Sequence, residues 1–587
     1  MTADRVTAVA AALTMATLFV ACAPSRPATI DDSQRIAGEA VRTAPRRGPA
    51  WRCTPDMPTT MPSPATRAER TGFCETTPYE EAMAFLDTVA SKAAPNRIMR
   101  IARVGASPKG RPLMIVTACA RSTRTADSCN DFLAGTRRRP VVMLQANIHA
   151  GEVEGKEAVL ALLRTVVTDA RSNLLDSVTL IVVPMYNADG NEALGPQSRN
   201  RGSQLGPAMI GERANGDGLD LNRDYIKAEA PETRAILPML VNGGVDVFVD
   251  LHTTNGSYHG YHLTWSPSLH PGAPLARFTS DTLLAGIRRR LWRKGVRTYP
   301  YGNFSNSFAR EVTLDAQKEG WFTYDSRPRF GTNYFGLTGG VSILSEAYSH
   351  DPFAVRVNST YSFLRELLGT VGADPSILSR VKASRRALAA GTAPRGLVLE
   401  TQVTKRPFRD SLLVETLEAD PDSLGAEPGV PVGIKRSGRF TTQDMPVHDR
   451  FEVVRDITVP AGGWLIEASD TTLLALLARH GVVVRPRLAS ARPVDVERFQ
   501  LDSVEKVGRQ FQGHREVRVL GQWVRARMQP PAEWRWVPAA QAQLLVAAQL
   551  LEPQSNDGAT TWNLFDDRLL MGKYHPVMRV TSRVTGR

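Results

Sequence analysis

The sequence predicts an α/β fold with a mixed, mostly parallel sheet and helices on both of its faces. Short apolar runs typical of buried strands alternate with segments of helical periodicity along the middle of the chain. Such alternation favours a sheet whose strands are joined by covering helices. The expected strands are 113–117, 141–148, 178–183, 245–251 and 341–345, and the expected helices are 157–169, 231–241 and 280–292.

The chain has 587 residues, which is too long for one hydrophobic core, so two or more domains are expected. The predicted sheet occupies a principal domain at residues 78–372. A smaller accessory domain of mixed α/β or β-rich structure is expected at residues 373–587. Its expected strands are 451–459, 464–466 and 482–484, and its expected helices are 471–480 and a second one that begins after Pro538 and runs to Leu551.

The N-terminus has the pattern of an export signal at residues 1–21. Arg5 precedes an apolar stretch that is short for a membrane span. Cys22 then follows small and apolar residues, as at a bacterial lipoprotein cleavage site, although Phe19 stands where such sites usually have Leu. The protein is therefore expected in the periplasm or at the cell surface, held to the membrane by a lipid on Cys22, with ordinary signal cleavage as the alternative.

The segment at residues 22–77 is rich in Pro, Thr, Ser, Ala and Arg and is expected to be a tether with a disulfide-stapled end. Removing Cys22 leaves four cysteines that fall into two sequence-close pairs. An oxidising compartment would allow the disulfides Cys53–Cys74 and Cys119–Cys129, with four free buried thiols as the alternative.

The formal net charge of +13 is scattered along the chain. The densest basic runs, 137–139 and 288–294, lack the interleaved aromatic residues and the fold signature of nucleic-acid-binding domains. A nucleic-acid partner is therefore not expected, and the basic runs are interpreted as solvated surface.

Two short motifs follow predicted strands and carry metal-binding side chains. His149-Ala-Gly-Glu152 comes after the run at 141–144, and Asp250-Leu-His252 after the run at 245–249. Two imidazoles and one carboxylate are the ligand set of a hydrolytic zinc ion, with the fourth position open. Because sites form at the carboxyl ends of parallel strands, His149, Glu152 and His252 are expected to bind one zinc ion.

Two further residues have types that fit a carboxylate clamp, and a third fits a donor to a developing oxyanion. Arg223 offers a planar fork that matches a carboxylate, and Asn222 adds donors beside it. Arg213 is expected to polarise a scissile carbonyl, where negative charge develops during hydrolysis. The pattern predicts a substrate with a free carboxylate close to the bond that is cleaved.

Glu346 ends another apolar run and is expected to act as a general base toward water. An ion-paired structural role is the alternative for this carboxylate. Tyr334 and Tyr324 precede it in a glycine-containing segment, and a mobile loop is expected to bring one phenol to the site.

In this order, and together with Asn187-Ala-Asp-Gly190, the motifs resemble those of the M14 zinc carboxypeptidases over about residues 78–370. The resemblance implies a zinc carboxypeptidase-like fold. It also implies zinc ligands, a carboxylate clamp, an oxyanion-stabilising arginine and a catalytic base at the positions matched here: His149, Glu152 and His252; Asn222 and Arg223; Arg213; and Glu346. Tyr334 is the better match to the family's loop tyrosine, and Tyr324 is the second choice.

The expected function is hydrolysis of the amide bond next to a free C-terminal carboxylate, with peptide or protein C-termini, including cell-wall peptides, as substrates. A zinc deacylase acting on N-acyl amino acids is one alternative. The other is a catalytically silent peptide- or glycan-binding lipoprotein. Aromatic side chains in the C-terminal region could stack on sugars, although core packing is the favoured interpretation of Trp534, Trp536 and Trp562.

Overall fold

An eight-stranded sheet organises the first part of the chain in the computed structural model. The structure describes residues 53, 60–121, 129, 139–242, 244–304, 320–393, 396–420, 434–486, 488 and 493–583. The strands up to residue 347 are β1 (Arg97–Ala106), β2 (Pro112–Ala120), β3 (Val141–Ala146), β4 (Thr179–Val183), β5 (Gly195–Pro196), β6 (Met209–Ile210), β7 (Val247–Thr253), β8 (Leu263–Pro267), β9 (Thr298–Pro300), β10 (Trp321–Phe322) and β11 (Val341–Ala347).

The order of strands in this sheet is β1-β2-β4-β3-β7-β11-β8-β9. The central pairs β4–β3, β3–β7 and β7–β11 are parallel, as is the edge pair β8–β9. The pairs β1–β2, β2–β4 and β11–β8 are antiparallel. The predicted mixed, mostly parallel sheet is confirmed.

Helices cover both faces of the sheet, as predicted. They are α1 (Arg67–Arg70), α2 (Tyr79–Ser91), α3 (Glu154–Thr168), α4 (Ala188–Glu192), α5 (Gln197–Asn200), α6 (Pro231–Val241), α7 (Ala276–Phe278), which continues through a π-helical segment (Thr279–Leu284) into α8 (Ala285–Arg293), α9 (Gly331–Leu337) and α10 (Phe353–Ala373). Alternation along β3 sends Val142 and Leu144 into the core under α3 and α10, and Val141 and Met143 into the core under α6 and α9.

The C-terminal region is rich in strands. Its elements are α11 (Ser376–Ala389), β12 (Leu397–Thr404), β13 (Arg409–Ala419), β14 (Ile434–His448), β15 (Arg450–Ile457), β16 (Gly463–Glu467), α12 (Thr471–Arg479), β17 (Val494–Lys506), β18 (Val517–Met528), β19 (Trp534–Val537), α13 (Leu544–Leu551) and β20 (Tyr574–Val580). A five-stranded sheet has the order β18-β17-β20-β16-β19. A β-rich accessory region was expected here.

The C-terminal region is joined to the first part by shared structure. Strand β10 pairs with β14, so one three-stranded sheet includes residues from both parts. One apolar core likewise contains Phe248 and Tyr334 together with Trp464 and Leu544. The boundary at residues 372 and 373 stays a prediction, and the two parts share a buried interface across it.

Two local predictions in the C-terminal region are wrong. The helix expected from Pro538 begins at Leu544, and residues 482–484 are not a strand. Side-chain hydrogen bonds from distant segments explain both differences. Gln541 accepts a hydrogen bond from the Val483 amide at 2.7 Å, and Gln543 donates one to the Val241 carbonyl at 2.7 Å. Trp536 and Trp562 are buried, as expected for core residues.

Part of the predicted tether is folded against the first sheet. Helix α1 carries a capping box in which Thr66 and Glu69 bond each other's backbone amides, and Glu69 is also paired with Arg164 of α3. Both expected disulfides, Cys53–Cys74 and Cys119–Cys129, are confirmed, and disulfides indicate export to an oxidising compartment. The predicted signal at residues 1–21 and Cys22 lie outside the described residues. Within the described part of the chain, no helix is long and apolar enough to cross a membrane.

Arg329 can be used to test how much the contacts between the two parts contribute to the free energy of unfolding. Its buried guanidinium donates hydrogen bonds at 2.8 Å to Asp557 and to Glu516. We expect Arg329→Ala to lower the free energy of unfolding in urea by about 3–5 kcal/mol, because the fully buried Asp557 carboxylate loses its cation. The control is Arg171→Ala, which removes an exposed guanidinium paired with Asp169 and should change stability by less than about 0.5 kcal/mol. Equal changes in the two variants would contradict this role.

Candidate active site

Three metal-binding side chains meet at the carboxyl ends of neighbouring strands. His149 and Glu152 lie in the turn after β3, where Asn147 adopts φ 62° and so redirects the chain. His252 lies on β7, which is next to β3 in the sheet. Gly155 allows the first turn of α3 to approach β7, because a Cβ there would lie 2.8 Å from that of Leu251. The predicted triad is thus brought together by the sheet order.

The donor atoms of the triad converge on one point. The Nδ1 atoms of His149 and His252 are 3.2 Å apart, and each lies close to one oxygen of Glu152, at 3.1 and 3.0 Å. Ligands at the corners of a zinc tetrahedron are separated by about 3.3 Å when metal–nitrogen distances are about 2.0–2.1 Å. The separations fit one such ion, and all three side chains are buried.

Two aspartates lie behind the histidines and explain why their Nδ1 atoms face one another. His149 Nε2 is 3.0 Å from Asp220 Oδ1, and His252 Nε2 is 3.0 Å from Asp250 Oδ2. A proton on His149 Nε2, hydrogen-bonded to Asp220, leaves the Nδ1 lone pair of that ring available to a cation, and the Asp250 carboxylate lies close to His252 Nε2 as an ion-pair partner. Burial disfavours a charged imidazole, yet Asp250 and Glu152 raise the pKa of His252 well above its usual value. The arrangement of charges therefore favours a cation at the triad.

The roles of these aspartates were not anticipated from the sequence. Asp250 stands two residues before His252 on a strand, so both side chains face the same side, and this spacing was an available signal. Burial opposes ionisation of Asp220, but His149, Arg213 and Arg223 hold the pKa of its carboxyl well below the usual value.

Arg201 is a further site residue that sequence reasoning missed. It donates a hydrogen bond from Nη1 to Glu152 Oε1 at 2.7 Å, and another from Nη2 to the Thr254 carbonyl at 2.7 Å. Its guanidinium helps to keep the pKa of Glu152 well below the ordinary value, although burial acts in the opposite direction. No sequence signal separates Arg201 from the exposed Arg199 two residues earlier.

Glu346 lies on β11 directly opposite His252 on β7. Its side chain is buried, and its Oε2 atom has no hydrogen-bond partner among the described residues. Burial raises the pKa of its carboxyl to about 8; the nearby Glu152 acts in the same direction and His252 acts against it. A buried carboxylate oxygen without a partner is costly unless it serves a ligand or a reaction.

The predicted clamp lies beside the triad. Asn222 Nδ2 is 3.5 Å from His252 Nε2, while its Oδ1 accepts a hydrogen bond from the Gly331 amide at 3.0 Å. The Arg223 guanidinium lies 4.2 Å from the centre of the Phe330 ring. Arg213 is partly exposed, donates to Asp220 Oδ2 from Nε at 3.1 Å and lies 3.5 Å from Glu152 Oε1.

A cavity of about 560 Å³ extends from the clamp to the C-terminal region. Arg223, Tyr324 and Phe330 line it on one side. Strands β12, β15 and β18 contribute the opposite side through Thr401, Phe451 and other residues. The volume is in the range of small-ligand sites, and both parts of the chain form its walls.

Tyr334 is not at the site, which corrects the sequence-based assignment. It belongs to helix α9 and is fully buried. Nε2 of His480 donates a hydrogen bond to the Ile226 carbonyl, so Nδ1 of that ring is an acceptor. The Tyr334 hydroxyl donates a hydrogen bond to this Nδ1 atom at 2.6 Å. Residues Gly331–Leu337 form a buried helix where a loop was expected. A Cβ on Gly331 would lie 2.7 Å from the Tyr225 ring, so this glycine allows close packing.

Tyr324, the second choice, lines the cavity, and its phenol is near Glu346. Burial raises its pKa, and the Glu346 charge adds to the shift. Tyr301 is a phenol that the sequence did not indicate. Its ring packs against Tyr324, and its hydroxyl accepts a hydrogen bond from Asn255 Nδ2 at 2.7 Å.

Comparisons with known proteins identify the region that carries this site. Residues 83–330 match the Peptidase M14 family model, described as zinc carboxypeptidase. Mouse carboxypeptidase D is 28% identical over 181 residues, which is 27% of this chain and 13% of that protein. Carboxypeptidase E of Caenorhabditis elegans is 30% identical over 158 residues, which is 26% of this chain and 29% of that protein. The chain thus spans less than a third of either relative.

A solved metallo-carboxypeptidase from Burkholderia cenocepacia is 18% identical, with a TM-score of 0.36, over 50% of this chain and 70% of its own. The matched family range contains His149, Glu152 and His252, and it ends before Glu346. Over this region the chain is therefore similar to the M14 zinc carboxypeptidases.

Proposed function

We propose that the protein is a zinc metallocarboxypeptidase that hydrolyses the amide bond next to a free C-terminal carboxylate of a peptide. One observation carries the proposal. The converging donors of His149, Glu152 and His252 lie next to Glu346, whose buried Oε2 has no hydrogen-bond partner in the described structure. A buried carboxylate without a hydrogen-bond partner beside a cation site favours a catalytic role over binding alone.

Each side chain around the triad has a role in this reaction. A bound zinc ion would supply Lewis acidity that lowers the pKa of a water and polarises a carbonyl oxygen. The charge of that ion would lower the pKa of the Glu346 carboxyl, so that Glu346 accepts the proton of the attacking water and transfers it to the leaving amine. Arg213, charged and partly exposed, donates to the oxygen on which negative charge develops.

Asn222 and Arg223 select the end of the substrate. The Arg223 guanidinium can bind a carboxylate through two parallel hydrogen bonds, and the Phe330 ring holds it in place. The cavity that begins at Arg223 then receives the side chain of the terminal residue. Cell-wall peptides and protein C-termini both present such a carboxylate.

Paired variants separate metal binding from proton transfer. We expect Glu346→Gln to keep one zinc ion per chain and to lower kcat by about 10²- to 10⁴-fold, because the amide cannot accept the proton. His252→Ala should lose the metal, since two ligands remain. His448→Ala, which changes a half-buried histidine stacked on Phe322, is the control and should keep both metal and activity. Elemental analysis and steady-state kinetics measure these outcomes. Full activity in Glu346→Gln would refute its role as the base.

Substrate panels test the clamp and the reaction type. Purified protein is incubated with free-acid peptides, with the same peptides as C-terminal amides, and with N-acyl amino acids, each with and without a zinc chelator. We expect chelator-sensitive loss of single residues from free-acid peptides only, and a KM raised at least about tenfold in Arg223→Ala, because the carboxylate loses its bidentate partner. Release from N-acyl amino acids alone would identify a deacylase, and equal cleavage of amides would contradict the clamp.

We also propose that the protein is exported and anchored through a lipid on Cys22. The two disulfides support export. Expression in a bacterial host should give a membrane-associated product whose N-terminal peptide has the mass of lipidated Cys22. The Cys22→Ser variant should be released from the membrane with its activity unchanged. A wild-type chain that begins after Cys22 would contradict the anchor.

A further inference from the structure

A loop of the C-terminal region contacts the segment that carries the clamp. This loop, residues 507–516, joins β17 to β18. At its tip, Phe511 and His514 exchange two backbone hydrogen bonds, at 2.7 and 3.0 Å, around Gln512 and Gly513. Gln512 has φ 51° and Gly513 has φ 81°, which is the left-handed geometry of a two-residue hairpin turn. Because a non-glycine residue rarely adopts this conformation, the position of Gln512 must be maintained by its surroundings.

The Gln512 side chain contacts a residue 292 positions away. Its Oε1 atom accepts a hydrogen bond from the Asp220 backbone amide at 2.9 Å. Asp220 in turn contacts both the metal ligand His149, at 3.0 Å, and the Arg213 guanidinium, at 2.9 Å. A single residue, Asp220, therefore connects Gln512 to the expected zinc ligand His149 and to the expected oxyanion donor Arg213.

The loop is held at other points, so the contact does not depend on Gln512 alone. His514 Nε2 lies 2.9 Å from the Glu229 carboxylate, seven residues beyond the clamp asparagine. Glu516 accepts a hydrogen bond from Arg329 Nη1 at 2.8 Å. These contacts hold the loop against Glu229 and Arg329, so that Gln512 lies next to the Asp220 amide.

We propose that Gln512 is a positioning residue through which the C-terminal region completes the active site. By accepting the Asp220 amide hydrogen, it fixes the backbone at the start of the 3₁₀ turn Leu221–Arg223. The Asp220 carboxylate is then held where it orients the His149 ring toward the metal and the Arg213 guanidinium toward the substrate. This inference rests on the proposed zinc carboxypeptidase function.

Matched variants of the full chain test this role. Gln512→Met keeps the length and the unbranched Cβ but has no oxygen acceptor, whereas Gln512→Glu keeps the acceptor. The control is Gln510→Met on the same loop, where the glutamine is exposed and donates to the Gly513 carbonyl. The measurements are zinc affinity by competition with a chelator, kcat and KM on a free-acid peptide, and stability in urea.

We expect Gln512→Met to weaken zinc binding and to lower kcat, each by about 5- to 10-fold, with KM changed less than about twofold, because metal and oxyanion contacts are affected rather than the clamp. Gln512→Glu and Gln510→Met should stay within about threefold of the wild type in both. Unchanged zinc affinity with only a raised KM would overturn the proposal, since the loop would then merely border the cleft. Equal losses in Gln510→Met would also overturn it. If the wild type cleaves no peptide, the proposed function fails, and the zinc measurement still decides the role of Gln512.

Discussion

The site depends on the approach of two imidazole nitrogens and one carboxylate at the ends of adjacent parallel strands. The Nδ1 atoms of His149 and His252 are 3.2 Å apart with Glu152 between them, and all three side chains are buried. Three electron-pair donors at this distance repel one another unless a cation or a proton lies among them. The surrounding structure must therefore hold the three donors together against their electrostatic repulsion, and a bound metal ion would remove that repulsion.

The surroundings of the triad alternate in charge. Asp220 and Asp250 lie behind the two histidines, and Arg201 and Arg213 lie next to Glu152. Each carboxylate orients an imidazole, while each guanidinium offsets the negative charge that the carboxylates bring into a buried space. A zinc ion with these partners would lie in a site close to neutrality.

The C-terminal region is part of this architecture. It pairs a strand with the first part of the chain, shares an apolar core with it, and supplies one wall of the cavity that begins at Arg223. Its loop at residues 507–516 contacts Asp220 and Glu229, which flank the clamp. The shape of this cavity and the position of the Asp220 backbone therefore both depend on residues that lie outside the matched family range.

The sheet, its covering helices and the proximity of the triad, Asn222, Arg223 and Glu346 could be predicted because their signals are local. Apolar alternation marks each strand, and the ligands follow those strands within a few residues, as His149 does after β3. Other features depend on partners far along the chain. The glycines near Tyr334 indicate a mobile loop, but its phenol donates a hydrogen bond to His480, 146 residues later. Arg201 and Gln512 carry no local signal at all. The sequence by itself determined which residue types stand at the strand ends, whereas only the tertiary structure decided which arginines, aspartates and tyrosines surround them, because long-range packing selects those contacts.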